Sequence, residues 1–129
     1  MNLHTREERL AAIGRVMDTL DILRVKCPWD AKQTNESLRP NTIEEVYELA
    51  QALLSEDQPE IRKELGDVLL QVLFHADIET GRGRMTIDDI ADAECKKLIF
   101  RHPFLFGGEA ESWDELKQKE KGQKTTGEA

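Results

Sequence analysis

The segment Glu44-Glu45-Val46-Tyr47-Glu48 is followed, sixteen residues after its last acid, by Glu64-Leu65-Gly66-Asp67. Both stretches read as helix, and positions three or four apart share a helix face. Glu45 and Glu48 therefore point together with Glu44 beside them, while Glu64 and Asp67 form a second pair on the next helix. If the two helices pack antiparallel, four or five carboxylates converge. Two bare negative charges ~4 Å apart repel by about 4 kcal/mol at an effective dielectric near 20. Such a group requires protons or a cation.

The donor type selects the cation. All-oxygen sites suit hard ions, magnesium foremost, with manganese as a substitute. A di-iron site in a helical bundle expects Glu-x-x-His on two helices. Here Glu48 and Asp67 stand at those positions, and His75 lies eight residues beyond Asp67. The plainer reading is a solvated acidic face. Glu44 and Glu45 also fall where a helix beginning near Thr42 has its first turn, which favours negative charge, and Thr42 with Glu45 fits a capping box. The second pair argues against that reading, because Asp67 borders the apolar run Val68-Leu69-Leu70 and a carboxylate there needs a partner. Gly66 weakens its helix relative to alanine, which close helix approach or a crowded site would explain.

The elements that must position these acids are helical throughout. Thr5 and Glu8 form a capping-box pattern ahead of apolar residues at helical spacing (Leu10, Ile13, Val16, Met17, Leu20, Leu23), giving a helix over 5–24. Residues 25–40, with Cys27-Pro28-Trp29-Asp30 and Gln33-Thr34, read as a long loop, the kind that is often functional. A second helix is expected over 42–55, with Ile43, Val46, Ala50, Leu53 and Leu54 as its apolar side. Asp57-Gln58-Pro59 stops it and starts a third over 59–80. That helix is apolar around most of its circumference, which suggests a subunit interface. Thr86 to Asp89 caps a fourth over 86–101. Ser112 and Glu115 suggest a short fifth over 113–121, and the polar residues 122–129 are expected to be a disordered tail. The expected fold is an all-α, four-helix-type bundle, one domain over 1–121, dimeric or alternatively tetrameric.

Bulk properties exclude other classes. A chain of 129 residues that is 39% hydrophobic and 34% charged is a soluble globular domain with one modest core. No apolar run approaches the ~20 residues of a membrane span. The polar start, Met1 to Glu8, lacks a signal-peptide apolar region, so a cytoplasmic location is expected. The net charge of −8 argues against a nucleic-acid polymer as partner. It permits a phosphorylated small molecule, with bound cations supplying positive charge. Cys27 and Cys95 match no zinc spacing and are expected to be reduced.

The run Cys27-Pro28-Trp29-Asp30, Gln33-Thr34, Ser37-Leu38-Arg39-Pro40 and Thr42 to Glu48 resembles the MazG family of nucleoside triphosphate pyrophosphohydrolases. Glu64 to Val72 and the stretch Lys97, Leu98, Arg101-His102-Pro103, Phe106-Gly107 are similar to the same family. The resemblance covers residues 5–121. The chain departs from the family pattern at Phe100 and Phe104, where relatives often carry arginine and histidine.

The resemblance implies tight dimers and a magnesium-dependent site on a helical bundle. It implies cleavage of a nucleoside triphosphate between the α and β phosphates to a monophosphate and pyrophosphate, with Glu45, Glu48, Glu64 and Asp67 as metal ligands. One of Glu44 and Glu45 is then expected to orient or deprotonate the attacking water. Lys97 and Arg101, four apart on one helical face, are the first candidates to hold the triphosphate, and Lys32 the second. The plainer reading of that pair is complementing the negative end of their helix. Trp29 is a candidate for stacking on a base and Asp30 and Gln33 for reading its edge, although a loop tryptophan commonly covers a small core. His102 is a candidate phosphate contact. The expected activity is house-cleaning hydrolysis over a broad base range. A non-catalytic helical dimer that binds metal and nucleotide as a regulator or sensor needs the same residues.

Overall fold

The computed structural model describes residues 3–106. These residues form five helices and no strand: α1 (Arg6–Lys26), α2 (Pro28–Lys32), α3 (Asn35–Ser55), α4 (Gln58–Gly81) and α5 (Ile87–Arg101). The fold is all-α, as expected. The expected helix over 113–121 and the expected tail lie outside the described residues. The chain divides into two compact units, Met1–Arg84 and Met85–Ala129, and each is taken by itself.

In the first unit, the capping box of α1 forms as its sequence predicts. Thr5 N–H donates to Glu8 Oε1 at 2.9 Å, and Glu8 N–H donates to Thr5 Oγ1 at 3.1 Å. Residues 25–40, in contrast, are not a long loop. Pro28 opens α2, where its missing N–H costs nothing at the first helical position. Thr34 then caps α3 together with Ser37, whose hydroxyl takes the place that glutamate or glutamine holds in the usual box. The helix runs through Pro40, seven residues earlier than the expected start at 42. This removes the helix-start reading of the acids. Thr42 is not a cap, and Glu44 and Glu45 lie well inside the helix, beyond the reach of its N-terminal dipole.

α3 and α4 pack against each other antiparallel. Asn35 meets Glu79, Thr42 meets His75 and Gln71, and the last turn of α3 faces the first turn of α4. A left-handed Glu56 and an Asp57 cap make the reversal. The core consists of Leu20, Leu38, Ala52, Leu73, Phe74, Ala76 and Ile78. Leu38, Glu45 and Ala52 recur at seven-residue spacing, so the inward face of α3 holds acids among its apolar residues. The expected apolar side is instead its outward face: Ile43, Val46, Leu53 and Leu54 are all more than half exposed. α1 packs on α2 and α4. Arg24 ties the three together. Its guanidinium donates to Asp30 O at 2.6 Å and Gln33 O at 3.3 Å, lies 3.5 Å from Asp77 Oδ2, and stacks 5.2 Å from the Phe74 ring centre.

In the second unit, α5 starts at the expected cap. Thr86 N–H donates to Asp89 Oδ2 at 2.9 Å, and the Thr86 hydroxyl also bonds Asp88. No helix among the described residues is long and apolar enough to cross a membrane.

Candidate metal centre

The antiparallel pairing brings the two acidic motifs together. One carboxylate oxygen each from Glu45, Glu48 and Glu64 lies within 4.8 Å of the other two. Asp67 lies beside Glu45, where its charge acts on the Glu45 carboxyl. Glu44 is exposed at the rim, where its charge acts on Glu48. Three of the five acids singled out from sequence therefore meet in the middle of the α3–α4 interface, with Asp67 beside Glu45 and Glu44 at the rim.

The electrostatics of this place are unfavourable without a cation. Glu64 is only 3% exposed, yet its Oε2 has no hydrogen-bond partner; Glu45 Oε2 is likewise buried and unpartnered. A buried polar atom without a partner costs about 1–3 kcal/mol, more if charged. Desolvation, then the charges of Asp67, Glu48 and Glu64, push the Glu45 carboxyl up to about 7. Glu48 is also raised, by desolvation first and then by Glu64 and Glu44, with Lys63 opposing. Lys63 is a nearby cation, its Nζ 3.5 Å from Glu64 Oε1 and 3.8 Å from Glu60 Oε1. One largely exposed ammonium does not balance four acids. The donor set, all carboxylate oxygen with two buried atoms unpartnered, fits a hard divalent ion.

A cavity of about 420 Å³ adjoins the cluster. Glu48, Glu60, Glu64 and Ala52 line it, together with Tyr47, Gln51, Ser55 and Lys63. Gln51, Ser55 and Lys63 carry no assignment from sequence, since none belongs to an acidic or basic pattern. The available signal for Lys63 was its position directly before Glu64. Gly66 has open space around the place of a Cβ, so close helix approach does not account for it.

The other sequence candidates are placed differently. Trp29 and Lys32 are exposed on α2, and Asp30 is half-buried with its carbonyl held by Arg24. The Gln33 side chain is engaged within the protein, donating to Trp29 O at 3.0 Å and accepting from Ser37 Oγ at 2.7 Å. Lys97, Arg101 and His102 belong to the second unit. Lys97 pairs with Glu94 at 3.0 Å, and His102 Nδ1 donates to Leu98 O at 2.7 Å, closing the end of α5. His75, read from sequence as a packed residue, is hydrogen-bonded through both ring nitrogens.

The model of the MazG nucleotide pyrophosphohydrolase domain matches residues 33–106, which contain the whole cluster. A nucleoside triphosphate pyrophosphohydrolase/pyrophosphatase MazG of Thermotoga maritima is 48% identical over 102 residues, 76% of this chain and 40% of that protein. Nucleoside triphosphate pyrophosphohydrolases of Mycolicibacterium smegmatis and Escherichia coli K12 are 46% and 41% identical over 88% and 76% of this chain. The chain spans 37% and 40% of the length of those two. The crystal structure of a mazG-related protein from Thermotoga maritima superposes with a TM-score of 0.66 at 26% identity, over 87% of this chain and 98% of that one.

Proposed function

The chain belongs to the MazG nucleotide pyrophosphohydrolase family, and from that premise we propose that it hydrolyses nucleoside triphosphates to monophosphates and pyrophosphate, in a magnesium-dependent reaction of broad base range. The observation that carries the proposal is the convergence of Glu45, Glu48, Glu64 and Asp67 around two buried, unpartnered carboxylate oxygens. These four residues would hold the divalent ion, and manganese could replace magnesium there. Bound there, the ion supplies charge neutralisation of phosphate oxygens and lowers the pKa of water beside it.

The protein's own groups do the rest. Two rigid helices fix the acids, so little reorganisation accompanies reaction. The adjoining cavity takes the phosphate chain, and Lys63 turns from Glu64 towards it as the negative charge arrives. Glu44, exposed beside Glu48, suits the role of base better than the enclosed Glu45. As a water oxygen bonds to phosphorus at the α–β bridge, its proton passes to Glu44. The bridging P–O bond breaks, and pyrophosphate leaves with that bond's electron pair. Lys97, Arg101 and His102 are offered as further phosphate contacts and Lys32 as a second-choice one, with Trp29, Asp30 and Gln33 as base contacts. Gln33 must release Ser37 or Trp29 to serve.

The outward apolar face of α3 supports self-association. Ile43 is 62% exposed and Leu54 80%, and they share one stripe with Val46 and Leu53. A second copy of the chain covers that stripe in the proposed dimer, which acts in the cytoplasm.

The test is pyrophosphate release from a mixed panel of nucleoside triphosphates with magnesium. Folded Glu48→Gln and Asp67→Asn proteins are expected to lose roughly 100-fold or more in rate. Wild-type rates in both variants would refute the assignment. Ion binding without turnover in the unaltered protein would favour the sensor reading.

A further inference from the structure

Beside the carboxylates, α3 and α4 are joined by a chain of hydrogen bonds that the proposed reaction does not use. Glu79 Oε1 accepts from Asn35 Nδ2 at 2.6 Å, and Asn35 Oδ1 lies 2.8 Å from His75 Nδ1. His75 Nε2 lies 2.7 Å from Thr42 Oγ1, which is 2.6 Å from Gln71 Oε1 and 3.2 Å from Leu38 O. Arg84 closes the far end, 3.6 Å from Glu79 Oε2. Gln71 is 8% exposed and the Glu79 side chain 14%, so water does not readily replace these bonds.

The protons in this chain are largely dictated. Asn35 gives its NH₂ group to Glu79 and so presents its oxygen to His75. His75 must then carry a hydrogen on Nδ1. The threonine hydroxyl has one hydrogen and two polar side chains to satisfy. Either it gives that hydrogen to His75 Nε2 and accepts from the Gln71 amide, turned end for end, or it gives it to Gln71 or to Leu38 O and accepts from a ring that carries hydrogens on both nitrogens. Nδ1–H is common to both arrangements.

The location gives this chain a consequence for the site. Thr42 precedes Glu45 by three residues and Gln71 follows Asp67 by four, so each pair shares a helix face. The Thr42–Gln71 contact is thus the next rung of the interface after Glu45–Asp67. Apolar packing alone tolerates small sliding of one helix along another, whereas directional buried hydrogen bonds do not. We propose that His75 is a positioning residue for the carboxylate cluster: held with a hydrogen on Nδ1 by Glu79 and Asn35, it acts through Thr42 to hold α3 and α4 at the register where the acids converge. The inference rests on the metal-binding reading for its effect on the ion, and not for the Nδ1 hydrogen.

The experiment uses the full chain with magnesium alone as the probe. Calorimetric titration of His75→Leu and of the near-isosteric Thr42→Val is expected to show roughly tenfold weaker magnesium binding, the scale of losing an outer hydrogen-bond partner of a metal site. His75→Gln, which can place an amide near the Nε2 position, recovers part of the loss. Should His75→Leu fail to fold, Thr42→Val decides. A purely structural role would lower the unfolding temperature of the ion-free protein and leave magnesium affinity unchanged, and that result overturns the proposal. Nitrogen-15 shifts of the His75 ring are expected to show a protonated Nδ1, and a bare Nδ1 also overturns it. If the unaltered protein binds no magnesium, the metal reading fails while the ring shifts still test the Nδ1 hydrogen.

Discussion

Glu64→Gln should change stability in opposite directions with and without magnesium. The Glu64 carboxylate is buried, and an oxygen of it lies within 4.8 Å of oxygens of Glu45 and Glu48. The Glu45–Glu64 pair, if both are ionised, repels by about 3.5 kcal/mol at an effective dielectric near 20. Lys63 offsets part of this, and solvent at Glu48 screens more, so about 1–2 kcal/mol of net relief is expected on neutralising Glu64. At about 4 °C per kcal/mol for a domain of this size, the ion-free variant should melt about 4–8 °C above the unaltered protein.

The gain depends on pH through Glu45. Its pKa is raised to about 7 in the folded protein, against about 4.3 for free glutamate. The folded state therefore holds this proton more tightly than the unfolded state. That contribution to stability is complete below the unfolded value and is lost as pH rises through about 7. Ionised Glu45 adds its repulsion above that point, so the benefit of Glu64→Gln should be largest at pH 8.5 and small at pH 6. With magnesium at 100 times its dissociation constant, the unaltered protein gains about 2.7 kcal/mol. The variant, short of a ligand, gains less and melts lower. The assay is thermal unfolding at both pH values with and without magnesium. A variant that is less stable under all four conditions would refute the reasoning, since it would mark Glu64 as an ordinary structural acid.

Two further outcomes follow from the geometry. Arg24→Lys keeps the charge but cannot span Asp30 O, Gln33 O and Asp77 together; a loss of about 2 kcal/mol is expected in chemical denaturation, with the largest change at Trp29 fluorescence, and an unchanged midpoint would contradict the clamp. Lys63→Ala frees Glu64 of its competing cation, so calorimetry should show tighter magnesium binding without nucleotide and weaker nucleotide binding with magnesium present; a change of one sign in both would remove Lys63 from the proposed cavity role.

The acidic centre was legible in the sequence because each pair lies within one helix, where spacing alone dictates a shared face. The α4 and α5 boundaries were legible for a similar reason: Asp57-Gln58-Pro59 and Thr86 to Asp89 are local signals that the folded chain uses as written. The start of α3 was hidden. Pro40 reads as the lead-in to a helix beginning at Thr42, and the Thr34–Ser37 box lacks the glutamate that makes such boxes recognisable. The orientation of α3 was also hidden, because apolar residues at helical spacing mark a face to be covered without saying by what. Ile43, Val46, Leu53 and Leu54 are left exposed by this chain, while Thr42 and Glu45 turn inward. The network of Asn35, Thr42, Gln71, His75 and Glu79 left no sequence trace at all. Its members come from two helices, and each is unremarkable in its own segment.

The most direct test is the anomalous difference map of a crystal soaked in manganese. The account predicts a peak enclosed by the carboxylates of Glu45, Glu48, Glu64 and Asp67, absent from crystals of Glu64→Gln soaked in the same way. A map without density among those oxygens, at manganese concentrations that support turnover, would contradict it.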